Sequence, residues 1–376
     1  MTRTRPNILL LFTDQQRFDT ICAAGCLHMK TPNLDRLVHE GCLFTNAYTP
    51  NPVCVPARHC LLTGTTEKHH GICDNSTDRM TMDGLPTLPR VLSDHGYFTA
   101  AVGKMHFTPP RRHHGFLEMH LMEEIPGHRC DDAYAEWLES EGYGDVRTLH
   151  GSRPLLYHEP QMALVDAAHH GTNWVAERTI EVIDRNRGER PFFIMSGWIK
   201  PHPPWNIPQE WEGLYDAIDL PAPIDAPRIE PQPTGSNAWF GDTDEGGVLR
   251  DVRAAYYTSI SMVDDALGRI LGHLDSAGTL DQTMVIFTSD HGEMLGDHHL
   301  FQKMQPYESA SRIPFVIRYP KAFAPGTTDD RFVDLFDVMP TILDAAGFSP
   351  GDVKAGRPYD PAGASLLRRA NPEGRD

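Results

Sequence analysis

Pro6-Asn7-Ile8-Leu9-Leu10-Leu11-Phe12-Thr13-Asp14-Gln15-Gln16 runs from an unbroken apolar stretch straight into a carboxylate and two amides. A short apolar run with no polar alternation predicts a strand at 7–13 that is covered on both faces. Four more runs have the same form, at 98–102, 192–197, 284–288 and 315–318, and all five are read as central parallel strands. Helical spacing separates them at 33–40, within 85–95, at 172–187, at 252–277 and at 335–346, where Gly347 is the expected C-cap. Strands alternating with helices give an α/β fold with a mostly parallel central sheet flanked by helices on both faces.

The 376 residues suffice for one large α/β unit or for two or three smaller domains of about 150 residues each. A single catalytic unit is expected over 1–349, with a Pro-rich surface excursion at 200–247, followed by an irregular tail at 350–376. Within the excursion Lys200 is read as solvated. Trp198, Trp205, Trp211 and Trp239 are read as packing it onto the body. The net charge of −17 argues against nucleic acid and anionic membrane as partners, but leaves room for a small anion held in a cleft by a few basic residues. Seven cysteines, an odd number without CxxC spacing, do not form a secreted disulfide framework. The opening apolar run is too short for a signal peptide or a membrane span. Together these point to the cytoplasm.

Ligands of open α/β sheets bind beyond the carboxyl ends of the strands. The residues that follow the apolar runs are Asp14-Gln15, Gly103-Lys104-Met105-His106, Lys200-Pro201-His202 and Asp290-His291-Gly292-Glu293. One such edge is ordinarily a solvated loop, but four that carry ionisable groups point to a shared site. Asp14, Gln15, Asp290 and His291 form a candidate metal site, whose oxygens suit Ca²⁺ or Mg²⁺ and whose imidazole shifts the preference toward Mn²⁺. The plainer reading is that Asp290 and His291 begin a turn at Gly292. The segment Asn51-Pro52-Val53-Cys54-Val55-Pro56-Ala57-Arg58 places a thiol ahead of a short helix expected to start near Arg58. A helix N-terminus lowers a thiol pKa, and an arginine offers a bidentate donor to an oxyanion. A buried structural cysteine is the commoner role for a lone Cys.

These residues, in this order and spacing, resemble the type I sulfatases of the alkaline phosphatase superfamily. The resemblance runs from Arg5-Pro6-Asn7 to about Gly363. It takes in Thr31-Pro32-Asn33-Leu34-Asp35-Arg36-Leu37, Cys54-Val55-Pro56-Ala57-Arg58, Gly103-Lys104-Met105-His106, Lys200-Pro201-His202, Phe287-Thr288-Ser289-Asp290-His291-Gly292-Glu293 and Lys303. It implies that Cys54 is oxidised to formylglycine (3-oxoalanine) by a formylglycine-generating enzyme that reads Cys-x-Pro-x-Arg on the unfolded chain. It implies one divalent cation, Ca²⁺ ahead of Mn²⁺ or Mg²⁺, on Asp14, Gln15, residue 54, Asp290 and His291. The hydrated aldehyde would attack the sulfur of a small-molecule sulfate ester, with Asp290 helping to deprotonate it, and a covalent sulfate ester would result. His202 and Lys303 would donate to the leaving oxygen and the sulfate as the alcohol is expelled, and His106 would then take the proton of the second hydroxyl. Arg58 and Lys104 would neutralise developing charge. A homo-oligomer is left open.

The chain departs from the common pattern in several places. Asp14-Gln15 stands where many members carry two aspartates, and Asp290-His291 where many carry Asp-Asn; both combinations look more like the choline-sulfatase and phosphonate monoester hydrolase branches. Ala57 replaces the commoner serine of the motif. The smaller C-terminal subdomain of the family is expected to be reduced or missing. The rival reading within the superfamily is a phosphonate monoester or phosphodiester hydrolase, and the Lys104/His106 pair favours sulfate over it. A non-catalytic anion-binding relative is the third reading, and the filled chemical positions count against it. The paired histidines His69, His70, His113, His114, His169, His170, His298 and His299 are given no catalytic role.

Overall fold

Ile8 to Phe12 are fully buried, and their alternation explains the layers of the molecule. Ile8, Leu10 and Phe12 join one core, and Leu9 and Leu11 join another on the opposite face. The computed structural model describes residues 5–75, 82–155, 159–226, 248–353 and 361–367. Its central sheet has eight strands: β1 (Asn7–Asp14), β2 (Cys42–Phe44), β3 (Phe98–Gly103), β4 (Glu118–Leu121), β5 (Phe192–Pro201), β6 (Thr283–Ser289), β7 (Phe315–Arg318) and β8 (Thr327–Asp329). Their order across the sheet is β8-β2-β7-β6-β1-β5-β3-β4. The adjacent strands β6, β1, β5 and β3 are all parallel, which brings their carboxyl ends to one edge.

Helices cover both faces. On the first lie α2 (Cys54–Thr63), α3 (Leu88–Asp94) and α6 (Val338–Ala345), through Leu61, Leu62, Val91, Leu92, Met339 and Ile342. On the second lie α1 (Pro32–Glu40), α4 (Gly171–Arg185) and the long α5 (Val248–Ser276), through Leu34, Leu37, Trp174, Val182, Leu267 and Leu271. No helix among the described residues is long and apolar enough to cross a membrane.

Several expectations are corrected. Strand β7 was expected to be parallel, yet it runs antiparallel to both β6 and β2. A strand covered on both faces is apolar throughout in either direction, so composition does not report its polarity. Helix α2 begins at Cys54, not near Arg58, with Pro56 in its first turn. The excursion does not start at Lys200. Strand β5 continues to Pro201, and Lys200 is only 3% exposed. Trp198 and Trp205 are fully buried and donate to the carbonyls of Thr172 and Pro201. Trp211 is partly exposed, and Trp239, with 227–247, lies outside the described residues. Of the expected tail, 361–367 is seated on the body: Ala362 N donates to Gly64 O, Leu366 N donates to Thr341 Oγ1, and Leu366 enters the first core.

The turn out of β3 depends on close backbone contact. Gly103 has φ +87°, and a Cβ there would stand 2.0 Å from Gly197 O, an oxygen that accepts from Lys104 N at 2.8 Å. Gly103→Ala is therefore expected to cost at least about 3 kcal/mol, from left-handed strain plus steric overlap, measured as a lower urea midpoint.

Candidate active site

Each parallel strand of the central four delivers one part of the cluster. Asp14 ends β1, Lys104 and His106 follow β3, His202 follows β5, and Asp290 and His291 follow β6. Cys54 enters from the first turn of α2, whose ten residues are all buried. Two of these turns hold non-glycine residues in the left-handed region, Gln15 at φ 71° and His106 at φ 59°. Surrounding hydrogen bonds hold such strain in place. Gln15 N donates to Asp290 Oδ1 (3.0 Å), Tyr256 donates to Gln15 O (2.8 Å), and Glu123 accepts from the amides of Met105 and His106.

Cys54 Sγ lies 3.0 Å from Lys303 Nζ, 3.3 Å from His291 Nε2 and 3.9 Å from Asp14 Oδ1. Burial and Asp14 push the thiol up, but Lys303, His291 and His106 outweigh them and bring it well below its ordinary value. Arg58, 1% exposed, binds both carboxylates: Nη2 reaches Asp14 Oδ2 (3.1 Å), Nε reaches Asp290 Oδ2 (3.1 Å), and Nη1 donates to Lys104 O (2.9 Å). Lys104 Nζ sits 2.6 Å from Asp14 Oδ2. Burial alone would raise Asp14, yet Lys104, Lys303 and Arg58 hold its carboxyl well below the usual range.

The donors for a cation converge. Ligand atoms of Asp14, Cys54, Asp290 and His291 lie within 4.8 Å of one another, and all four residues are buried. His291 Nδ1 donates to Gly292 O (2.9 Å), which leaves Nε2 as the ring atom facing the site. The Gln15 amide is also oriented: Nε2 donates to Glu293, so Oε1 is the atom that accepts from Lys303 (2.7 Å). Two carboxylates, an imidazole and an amide oxygen make a donor set suited to a divalent cation.

His202 and Lys303 differ in charge. Burial brings His202 down to about 4, and its Nδ1 donates to Pro203 O (2.6 Å). Lys303 is held above its ordinary value because Cys54, Asp14 and Asp290 outweigh its burial. At neutral pH Lys303 is thus a cation and His202 is neutral.

Three contributors were missed in the sequence. Glu123 fixes the Lys104–His106 turn. Glu124 accepts from Lys104 Nζ (2.7 Å) and from Arg153, with Oε1 3.6 Å from His202 Nδ1. Lys200, expected in solvent, donates to Pro204 O and Asn206 Oδ1 behind His202. Burial lowers Lys200 to about 7 from 10.5. Between those values the unfolded chain binds a proton that the folded chain has released, so stability rises with pH across that window. Lys200→Met removes this dependence. The melting temperature of the variant, relative to wild type, is expected to fall steadily from pH 7 to pH 10.

The sulfatase family model matches residues 6–348. An arylsulfatase of Clostridium perfringens is 33% identical, over 93% of this chain and 76% of its own length. A choline-sulfatase of Rhizobium meliloti is 30% identical, over 99% of this chain and 72% of its own length. Among solved structures, a phosphonate monoester hydrolase of Agrobacterium radiobacter superposes with a TM-score of 0.81 at 26% identity, covering 99% of this chain and 79% of that one.

Proposed function

The chain belongs to the sulfatase family, and on that basis we propose that it hydrolyses an organic sulfate monoester to an alcohol and inorganic sulfate at the cluster around residue 54. The observation that carries this reading is the convergence on Cys54 of Lys303, His291, Asp14 and His106, with Arg58 and Lys104 behind them.

Asp14, Gln15, Asp290, His291 and residue 54 would hold the cation, Ca²⁺ ahead of Mn²⁺ or Mg²⁺ because most of these donors are oxygens. With Cys54 converted to formylglycine, a cation held there would supply acidity to the hydrated aldehyde, whose oxygen would attack sulfur. Lys303, cationic and in contact with residue 54, donates to the leaving oxygen or the sulfate as the S–O bond to the alcohol breaks. His202, neutral in the free protein, gains its proton when an anionic ester enters. His106, on the turn after β3, would take the proton released as the aldehyde re-forms and sulfate departs. Arg58 and Lys104 stay fixed as preorganised positive charge.

Cys54 is 1% exposed, at the head of a wholly buried helix. That burial supports a modifying enzyme that acts before the chain folds. All seven cysteines are free thiols, which supports a reducing compartment such as the cytoplasm.

A second reading, phosphonate monoester hydrolysis, is favoured by the structural likeness to the Agrobacterium radiobacter enzyme. The Lys104/His106 pair supports sulfate instead. Initial rates on an aryl sulfate and an aryl phosphonate monoester separate the two, and the sulfate is expected to be turned over with the higher kcat/KM. The reverse order would favour the second reading. Chelation followed by dialysis is expected to abolish turnover and lower the melting temperature, and added Ca²⁺ to restore both.

A further inference from the structure

Lys104 Nζ lies between two carboxylates, 2.6 Å from Asp14 Oδ2 and 2.7 Å from Glu124 Oε2. Asp14 belongs to the cation site; Glu124 does not. Its side chain is 9% exposed and is also paired with Arg153, a residue 42% exposed on the outer side. Its Oε1 stands 3.6 Å from His202 Nδ1. A carboxylate is therefore built into the wall beside two residues that would meet the substrate anion. Glu123, its neighbour, is turned away to cap the amides of Met105 and His106.

From the position of Glu124 we infer that its carboxylate is a charge filter, a specificity-determining residue that admits a singly charged ester and disfavours a doubly charged one. The inference rests on the proposed sulfatase reading and deepens it. A sulfate monoester carries one negative charge. A phosphate monoester of the same shape carries nearly two above its second pKa of about 6. The shapes are alike, so the pocket separates them by charge. Arg58, Lys104 and Lys303 attract either anion. Glu124 takes up part of the Lys104 charge, and its own repulsion grows with the charge of the ligand. At about 6 Å and an intermediate effective dielectric, one extra unit charge is worth about tenfold or more in relative affinity. Arg153 masks part of the carboxylate from outside.

The test compares kcat/KM for 4-nitrophenyl sulfate, 4-nitrophenyl phosphate and an aryl phosphonate monoester at about pH 8, in the metal-loaded, modified enzyme. Glu124→Gln keeps an oxygen for Lys104 but removes the charge. It is expected to raise the phosphate-to-sulfate ratio about tenfold or more. The phosphonate-to-sulfate ratio should stay within about twofold, because both of those esters are monoanions. Glu124→Asp keeps the charge and shifts its position, and should leave the phosphate-to-sulfate ratio near wild type even where absolute rates fall. Arg153→Gln, at an exposed position, unmasks the carboxylate and should lower that ratio. An unchanged phosphate-to-sulfate ratio in Glu124→Gln, or an equal rise in Glu124→Asp, overturns the filter. Absence of sulfate turnover in the wild-type enzyme would instead overturn the sulfatase reading.

Discussion

Cys54→Ala is expected to lower turnover of an aryl sulfate by at least about 10⁴-fold, the scale seen when an enzyme loses its covalent nucleophile. No neighbour can replace it. His291 Nε2 would be taken up by the cation, Lys303 is protonated, and Asp14 is bound by Arg58 and Lys104. The fold should survive, because Lys303 keeps Gln15 Oε1 as a partner and helix α2 keeps its backbone. Circular dichroism and a melting temperature within a few degrees of wild type would check that. Retained turnover by the alanine variant would show that the attacking group lies elsewhere.

Arg58→Ala is expected to damage stability and activity together. The guanidinium is buried between Asp14 and Asp290 and also donates to Lys104 O, where it ties together the ends of strands β1, β3 and β6. Removing it leaves two buried carboxylates short of a counter-ion, which costs about 3–5 kcal/mol. Turnover of any folded fraction should fall by about 10²-fold or more through lost electrostatic stabilisation. Arg58→Lys should rescue little, because a single ammonium cannot span two carboxylates and a carbonyl in the arginine geometry. Urea unfolding of the three proteins beside kcat/KM of the soluble fraction separates the two losses. A lysine variant with wild-type stability would contradict the forked role.

The strand-end residues were legible because four adjacent strands are parallel and long enough to be apolar throughout. Asp14, Lys104, His106, His202, Asp290 and His291 each follow such a run, so their convergence follows from topology alone. Glu123 and Glu124 were not legible for the matching reason. They follow β4, an edge strand in which Glu118 and His120 alternate with Met119 and Leu121, so no apolar run marks it. The direction of β7 was hidden because both of its faces are covered. The true start of α2 was hidden because all ten of its residues are buried, which leaves no polar face to mark its period. Lys200 was misplaced in solvent because it sits among prolines. The structure instead extends β5 through it and supplies Pro204 O and Asn206 Oδ1 as acceptors. In each case the missing information was a long-range contact, whereas local pattern reported burial correctly in the strands covered on both sides and along helices α4 and α5.

The central claim is that residue 54 acts as an aldehyde. The most direct measurement is the mass of the peptide that contains Cys54, taken from protein made in its native host and compared with the turnover of the same preparation. The account predicts a peptide that has lost one sulfur and two hydrogens and gained one oxygen, in a fraction that tracks turnover across preparations. Full turnover in a preparation whose residue 54 is entirely unmodified cysteine would contradict it.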